Sequence, residues 1–328
     1  MQSHRIIPLI GGLSVAALAI TGCGGGEGEA TAVLYTSNNE TTVGVVVDAA
    51  SGLDDPLSVD VVTGSSGPLL ERIQAEAPNS AADVFYSAPA VVLERYAEHI
   101  EPYRSPETEA IPEELVDPDE RWVATNAHVV AFMINVDQIA GGEAPRTWEE
   151  LADPDWEGQI VVADPGQSTT ALTALYGAYK VLGEDTFLDL AENLDVTENS
   201  GNIYPAVAQG EYAVSIGYES NIYPYVAGGQ AGVEMVYPED GTFVEHDSMM
   251  LVKDGPNPEA GQRLIDVVLA RETQEQNLLE SFRRPVRDDI DPSELVDFER
   301  LEDLTIVDIH GEEDEAGRDD FLDLWENL

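Results

Sequence analysis

Over residues 159–183 the chain is written as a short apolar strand, a tight turn and an amphipathic helix. Residues 159–163 form the strand, and Asp164-Pro165-Gly166 turn it. Ser168, Thr169 and Thr170 follow. Leu172, Leu175, Tyr179 and Leu182 then recur at helical spacing until Gly183, a natural stop. The first turn of such a helix offers hydroxyls and unpaired backbone N–H groups, which together with the macrodipole attract anions. Ser168 is equally an ordinary N-cap. Whether the chain repeats the unit decides how much weight the ligand reading carries.

The unit recurs. Residues 31–36 read as a strand that ends in Ser37-Asn38-Asn39, with a helix over 43–50. Residues 58–62 read as a second strand. It leads into Gly64-Ser65-Ser66-Gly67, then Pro68 at the first helical position, then a helix over 69–76. Residues 81–86 read as a third strand, followed by Ser87 and a helix over 91–99. Such alternation signals a parallel, doubly wound sheet. In such sheets ligands sit beyond the carboxyl ends of the strands, the edge to which Ser37, Ser65, Ser66 and Ser87 point.

Further along, 102–119 is a Pro- and Glu-rich surface loop, 122–135 a strand-rich crossing segment and 147–158 a short helix and turn. After the 159–183 unit come a helix over 187–192, the turn Asn199-Ser200-Gly201-Asn202 and a helix from 204. A strand over 211–216 leads to Gly217-Tyr218-Glu219-Ser220. Strands over 233–237 and 248–252 and helices over 256–269 and 273–279 complete the pattern.

The chain has 328 residues, long enough for two cores, and its 43% apolar content is that of a globular protein. Its 64 Asp and Glu against 15 Lys and Arg give a formal net charge of −49. Lys180 and Lys253 are the only lysines. Such a surface repels itself at low ionic strength, and molar salt cuts the screening length to about 3 Å. A halophilic protein is expected. The charge argues against binding nucleic acid, or anionic lipid through the folded surface.

The single cysteine, Cys23, excludes an intramolecular disulfide and a cysteine metal cluster. Residues 1–5 are basic and 6–20 apolar, and Ile20-Thr21-Gly22-Cys23 resembles a bacterial lipobox. Residues 1–22 are therefore expected to be a lipoprotein signal peptide, Cys23 the lipidated residue, and 23–30 a Gly-rich tether.

The ordered series VVTGSSGPLLERIQAE (61–76), TWEELADPDWEGQIVVADP (147–165), NSGNIYPAVAQGEYAV (199–214), VYPEDGT (236–242), SMMLVKDGPNPEAGQRLIDVVLA (248–270) and RRPVRDD (283–289) covers most of the mature chain. It resembles the type II periplasmic binding proteins of ABC importers, in the branch of ferric-iron, thiamine, sugar-phosphate and aminoethylphosphonate receptors. The resemblance implies an α/β, two-lobed fold with doubly wound sheets joined by two hinge strands. It implies a first lobe of 31–127 and 245–328 and a second of 128–244, with the acidic end (Phe321, Leu322, Leu324 and Trp325) docked on the first. It further implies a monomeric, extracytoplasmic, lipid-anchored receptor without cofactor, which closes on a small solute for an ABC permease to read.

In the iron receptors two adjacent tyrosines after a Gly-Glu strand bind ferric ion. Setting Gly210-Glu211 on that motif puts Ser220-Asn221 at the pair, and neither suits ferric ion as a phenolate does. What remains is a ring of neutral groups: Ser37, Asn38, Ser65, Ser66, Ser87, Ser168, Thr169, Thr170, Asn199 and Ser200. Such a ring suits a phosphate, phosphonate or carboxylate. Tyr218 lies nearby, and Glu219 and Asp247 are expected to hold an amine or sugar hydroxyls. A small organic phosphate or phosphonate is the expected solute, with ferric iron the alternative. A phosphoesterase is a further alternative, but Gly64-Ser65-Ser66-Gly67 is not a nucleophile motif, so no catalytic residue is assigned. Asp247 beside His246 invites a metal reading, which the five scattered histidines (His4, His99, His128, His246 and His310) do not support.

Overall fold

The computed structural model describes residues 30–139, 143–198 and 200–328. The signal peptide, Cys23, nearly all of the tether, and Asn199 lie outside them. β1 (Ala30–Thr36), α1 (Glu40–Ser51), β2 (Leu57–Thr63), α2 (Ser66–Glu76) and β3 (Val84–Ala88) open the chain as two βαβ turns, with β1 parallel to both other strands. α3 (Ala90–Glu94) and β4 (Ile100–Glu101) follow, and the long β5 (Val123–Asn135) leads away. The next half holds α4 (Trp148–Leu151), β6 (Ile160–Ala163), α5 (Thr169–Leu182), α6 (Glu184–Glu192), β7 (Leu194–Thr197), α7 (Ile203–Ala208), β8 (Val214–Tyr218), α8 (Glu219–Ala227) and β9 (Val233–Val236). β10 (Val244–Val252) returns to α9 (Pro258–Leu269), α10 (Arg271–Ser281) and β11 (Arg284–Pro285), and α11 (Glu312–Trp325) ends the chain.

The strand order is β2-β1-β3-β10-β5-β8-β6-β7. At one end β2, β1 and β3 are parallel and β10 lies antiparallel to β3; at the other β8, β6 and β7 are parallel and β5 runs antiparallel to β8. The halves meet in a two-stranded ladder, where Val244, Glu245, His246 and Asp247 of β10 face Val129, His128, Ala127 and Asn126 of β5. This is the two-lobed, doubly wound α/β arrangement with β5 and β10 as the crossing strands.

Both faces of the inner strands are covered, so β3, β6 and β8 are buried along their whole length, whereas the edge strands β2 and β7 are partly exposed. All thirteen residues of β5 are buried. Val130, Phe132 and Ile134 enter one core with Trp148, Leu175, Phe187 and Phe243, while Val129, Ala131 and Met133 enter another with Ile203, Val207 and Ile222. In the first lobe Leu34, Val84 and Leu251 face α9, and Tyr35, Phe85 and Met250 face α2 and α3.

Four expectations need correction. β3 runs to Ala88, so Ser87 lies inside a strand rather than on the turn after it. α2 starts at Ser66, which puts Pro68 third in the helix, still within the turn whose N–H groups have no intrahelical partner. The segment after Tyr218 is not a turn: α8 begins there and contains Pro224, which reads locally as a breaker. Finally, the acidic end docks on the second lobe. Phe321 lies 5.4 Å from the Phe187 ring and 5.9 Å from Tyr176, in the core of β6 and β8. The chain reaches that core by crossing between the lobes a third time. Arg287 is held by Glu107 at 2.6 Å on the first lobe, and ten residues later Asp297 N donates to Tyr223 Oη at 2.9 Å on the second.

Candidate functional site

β1, β3 and β2 all end at one edge, and the side chains that follow meet there. Ser66 Oγ, in the first turn of α2, lies 2.8 Å from Ser37 Oγ and 2.8 Å from the Ser87 carbonyl oxygen. Ser37 Oγ donates to the same carbonyl at 3.0 Å. Ser87 holds this position with φ +93°, a region non-glycine residues avoid and one that clusters at ligand sites. β10 breaks register on both sides of Ser248, next to Asp247, and such irregularities re-aim side chains. Ser87 Oγ donates to Asp247 Oδ2 at 3.1 Å.

From Asp247 the contacts continue across the ladder. His128 Nε2 lies 3.0 Å from Asp247 Oδ2 and 3.0 Å from Asn126 Nδ2. Arg283 Nη1 lies 2.6 Å from His128 Nε2 and 3.8 Å from Asp247 Oδ2. The His128 ring stacks on Tyr218 with centroids 4.6 Å apart, and Tyr218 Oη donates to Thr173 Oγ1 of α5 at 3.3 Å. Thr173 sits one turn after Thr169. A continuous run of contacts thus leads from the N-terminus of α2, over the crossing strands, to Thr173, the fifth residue of α5.

Charge in this run is tightly set. Burial alone would raise the Asp247 carboxyl, but His128, Arg283 and Ser87 outweigh it and hold it at about 2. Burial, then the Arg283 charge, lowers the His128 imidazole, with the Asp247 carboxylate opposing them. Burial pushes the Tyr86 phenol up to about 12. Burial and the Glu245 charge push Tyr218 higher still. Glu245 itself, 5% exposed, is raised by burial and faces Arg318 of α11 at 3.7 Å. Arg283 Nε, in the same run, is buried without a hydrogen-bond partner, and Glu245 Oε2 has only the Arg318 guanidinium at 3.7 Å.

The sequence-assigned residues divide. Ser37, Ser66, Ser87, Asp247 and Tyr218 belong to the connected run, and the 5%-exposed Asn38 neighbours Ser37 at the same strand end. Ser65 is exposed at the α2 N-terminus and makes no side-chain cap bond. Ser168 caps α5 by accepting from Ala171 N at 3.3 Å, with Thr169 exposed and Thr170 half-buried beside it. Ser200 is half-buried just beyond the end of β7.

Glu219 is engaged elsewhere. It is fully buried, Arg284 grips it bidentately at 2.8 and 2.7 Å, and Tyr237 Oη donates to it at 2.5 Å, so its carboxylate is not presented to a ligand. His246 pairs with Ala127 and lies on the face of the ladder opposite Asp247. Among the described residues no group of three or more His, Cys, Asp or Glu is placed to hold a metal ion, and no helix is long and apolar enough to cross a membrane.

Asn126, His128, Glu245 and Arg283 escape a reading of the sequence alone. Their signal is nonetheless present: Asn126 and His128, like Glu245 and Asp247, are polar residues two apart in an apolar strand, which puts each pair on one face. Arg283-Arg284 is also a conspicuous doublet in a chain so poor in cations.

The sequence pattern of the family described as bacterial extracellular solute-binding protein matches residues 79–308. A periplasmic protein of Salmonella typhimurium named for 2-aminoethylphosphonate binding is 25% identical over 250 residues, 73% of this chain and 72% of its own length. The periplasmic binding protein AfuA of Actinobacillus pleuropneumoniae, solved with fructose-6-phosphate bound, superposes with a TM-score of 0.77 at 24% identity, covering 92% of this chain and 98% of AfuA. Iron-bound HitA of Pseudomonas aeruginosa superposes with a TM-score of 0.74 at 19% identity, over 89% of this chain and 99% of its own.

Proposed function

The chain belongs to the family of bacterial extracellular solute-binding proteins, and from that premise we propose that it captures a small organic phosphate or phosphonate between its lobes. The loaded, closed form is then read by an ABC permease, with the protein held at the membrane by lipid on Cys23. The observation that carries this is the polar run itself, from Ser66 and Ser37 through Asp247 and His128 to Thr173. It leads from the first turn of α2 on one lobe to Thr173, one turn inside α5 on the other, and the N-terminus of a helix attracts an anion. Asn38, Ser65, Ser168, Thr169, Thr170 and Ser200 complete the proposed lining, and Asp247 is the group that takes an amine or hydroxyl.

Iron is the weaker reading. Ser220-Asn221 stand where paired tyrosines are needed, and the Tyr218 phenol is raised and hydrogen-bonded to Thr173, which opposes a phenolate. Hydrolysis is weaker still. Ser87, Asp247 and His128 touch in that order, with the carboxylate in the middle, and a carboxylate held at about 2 is a poor base for a serine.

Mass spectrometry of solute carried through purification tests the assignment, and melting in the presence of phosphate esters and phosphonates ranks them. A true ligand at a hundred times its Kd stabilises by about 2.7 kcal/mol. Ser168→Ala with Thr169→Ala should weaken that ligand about tenfold, beyond the loss of about 1 kcal/mol in the unliganded protein that removal of the α5 cap brings; full affinity in the double variant would remove the anion from the α5 end.

A further inference from the structure

Two pairs of neighbouring residues divide between the faces of the crossing strands. β11 runs antiparallel to β5 with Arg284 opposite Ala127, so Arg284 lies on the Ala127 face and Arg283, one residue earlier, on the His128 face. Arg283 Nη1 accordingly meets His128 Nε2 at 2.6 Å. Further along β5, Tyr218 pairs with Val130, which shares a face with His128, and the Tyr218 and His128 rings stack. The cleft face thus carries Tyr218, His128 and Arg283 side by side. Behind them Arg284 grips Glu219, the residue after Tyr218, at 2.8 and 2.7 Å.

The side chains of this ion pair are 1% and 0% exposed. Their remaining bonds are made as well. Tyr237 Oη donates to Glu219, Arg284 Nη1 donates to the Glu299 carbonyl oxygen at 2.9 Å, and the Phe298 ring lies 5.0 Å from the guanidinium. A pair buried so deeply adds little stability over apolar side chains of the same size, and its best-attested use is to fix register. Register is what β11 lacks by itself. It has two paired residues and opens on a doublet of identical side chains. A slip of one residue would send Arg284 to the cleft and Arg283 behind it. Val286 N, which donates to Gln274 Oε1 at 3.2 Å, secures β11 on its C-terminal side.

Resting on the receptor reading above, we propose that Glu219 and Arg284 are positioning residues of the cleft, whose ion pair behind the sheet sets Tyr218 and Arg283 against His128. The pair touches no ligand and acts through those neighbours. It also joins β11, which arrives from α10 beside α1 of the first lobe, to the first residue of α8 on the second.

Nuclear magnetic resonance titration of the His128 ring in the full chain tests this without a ligand, so the receptor reading stands whichever way it falls. The charges that face the ring are Arg283, Asp247 and, from behind, Glu219; burial and Arg283 lower its imidazole, and the two acids oppose them. Arg283→Gln should therefore move the titration up toward the ordinary 6.5. Arg284→Lys keeps the charge but gives up the two-pronged grip, so an upward shift there reports the position of Arg283 alone. A ring that titrates in Arg284→Lys as in the unaltered chain overturns the positioning role, as does an unmoved ring in Arg283→Gln. Should Arg284→Lys fail to fold, Glu219→Gln with Arg284→Met takes its place with the same two outcomes. It leaves no lone buried charge, and the loss of the Glu219 charge by itself would lower the ring.

Discussion

At Asp247 burial and pairing oppose each other, and pairing wins. Its carboxyl sits at about 2 in the folded protein against an ordinary 3.8, so the contribution to stability is complete above about pH 4 and disappears as pH falls through 2. A shift of nearly two pH units corresponds to about 2 kcal/mol. Urea unfolding of Asp247→Asn should therefore show a deficit of about 2 kcal/mol at pH 6 that closes by pH 2; a deficit independent of pH would mean that the carboxylate's charge is not what His128 and Arg283 hold. His128 beside it adds a constraint: its Nε2 cannot accept from Asn126 and Arg283 and also donate to Asp247, so the three contacts compete for one ring nitrogen.

Among the elements, α11 shows how a strongly acidic segment becomes structural. Its inward positions alone are apolar or paired: Asp314 accepts from Tyr176 Oη at 2.7 Å and pairs with Lys180 at 2.8 Å, Arg318 reaches toward Glu245, and Phe321 is 1% exposed among Tyr176, Tyr179 and Phe187. The helix so touches both α5 and the crossing strand β10. Phe321→Ala should cost about 3–5 kcal/mol, read as a lowered midpoint in urea with the slope unchanged. A loss below about 1 kcal/mol would mean that α11 is not part of the second lobe's core. Pro224 hides helix α8 from a local reading, and Ser87 makes β3 read short because serine is a common turn residue; in both, burial against the sheet overrides a local breaker.

Across the whole molecule, unbalanced negative charge outweighs every other surface effect. The few cations are largely consumed by acids: Arg72, Arg121, Arg263, Arg287 and Arg300 each sit in an ion pair, as does Lys180. The exposed ones among these, such as Arg300 with Asp303, contribute little each, and the remaining acids outnumber the cations throughout the chain. Raising salt from 0.1 M to multi-molar should raise the melting temperature steeply, because screening relieves repulsion within and between the lobes. Equal melting temperatures at both ends of the series would remove the halophilic reading. The same repulsion acts across the cleft, so ligand closure should also become more favourable as salt rises.

Much of the frame is legible in the chain. The strand-turn-helix order, the hydroxyl-bearing reversals at Ser37, Ser66 and Ser168, and the crossing segment 122–135 follow from side-chain size and periodicity within a few residues, and those act before any distant contact forms. What only the tertiary structure decided is partnership. Glu219 meets Arg284 65 residues away, Ser87 meets Asp247 across 160, and His128 meets Arg283 across 155. Whether a hydroxyl gives its hydrogen to the protein or to a ligand, and whether an acid is ionised or spent on an arginine, depends on which groups folding brings within about 3 Å. A short window of sequence carries no record of that distance.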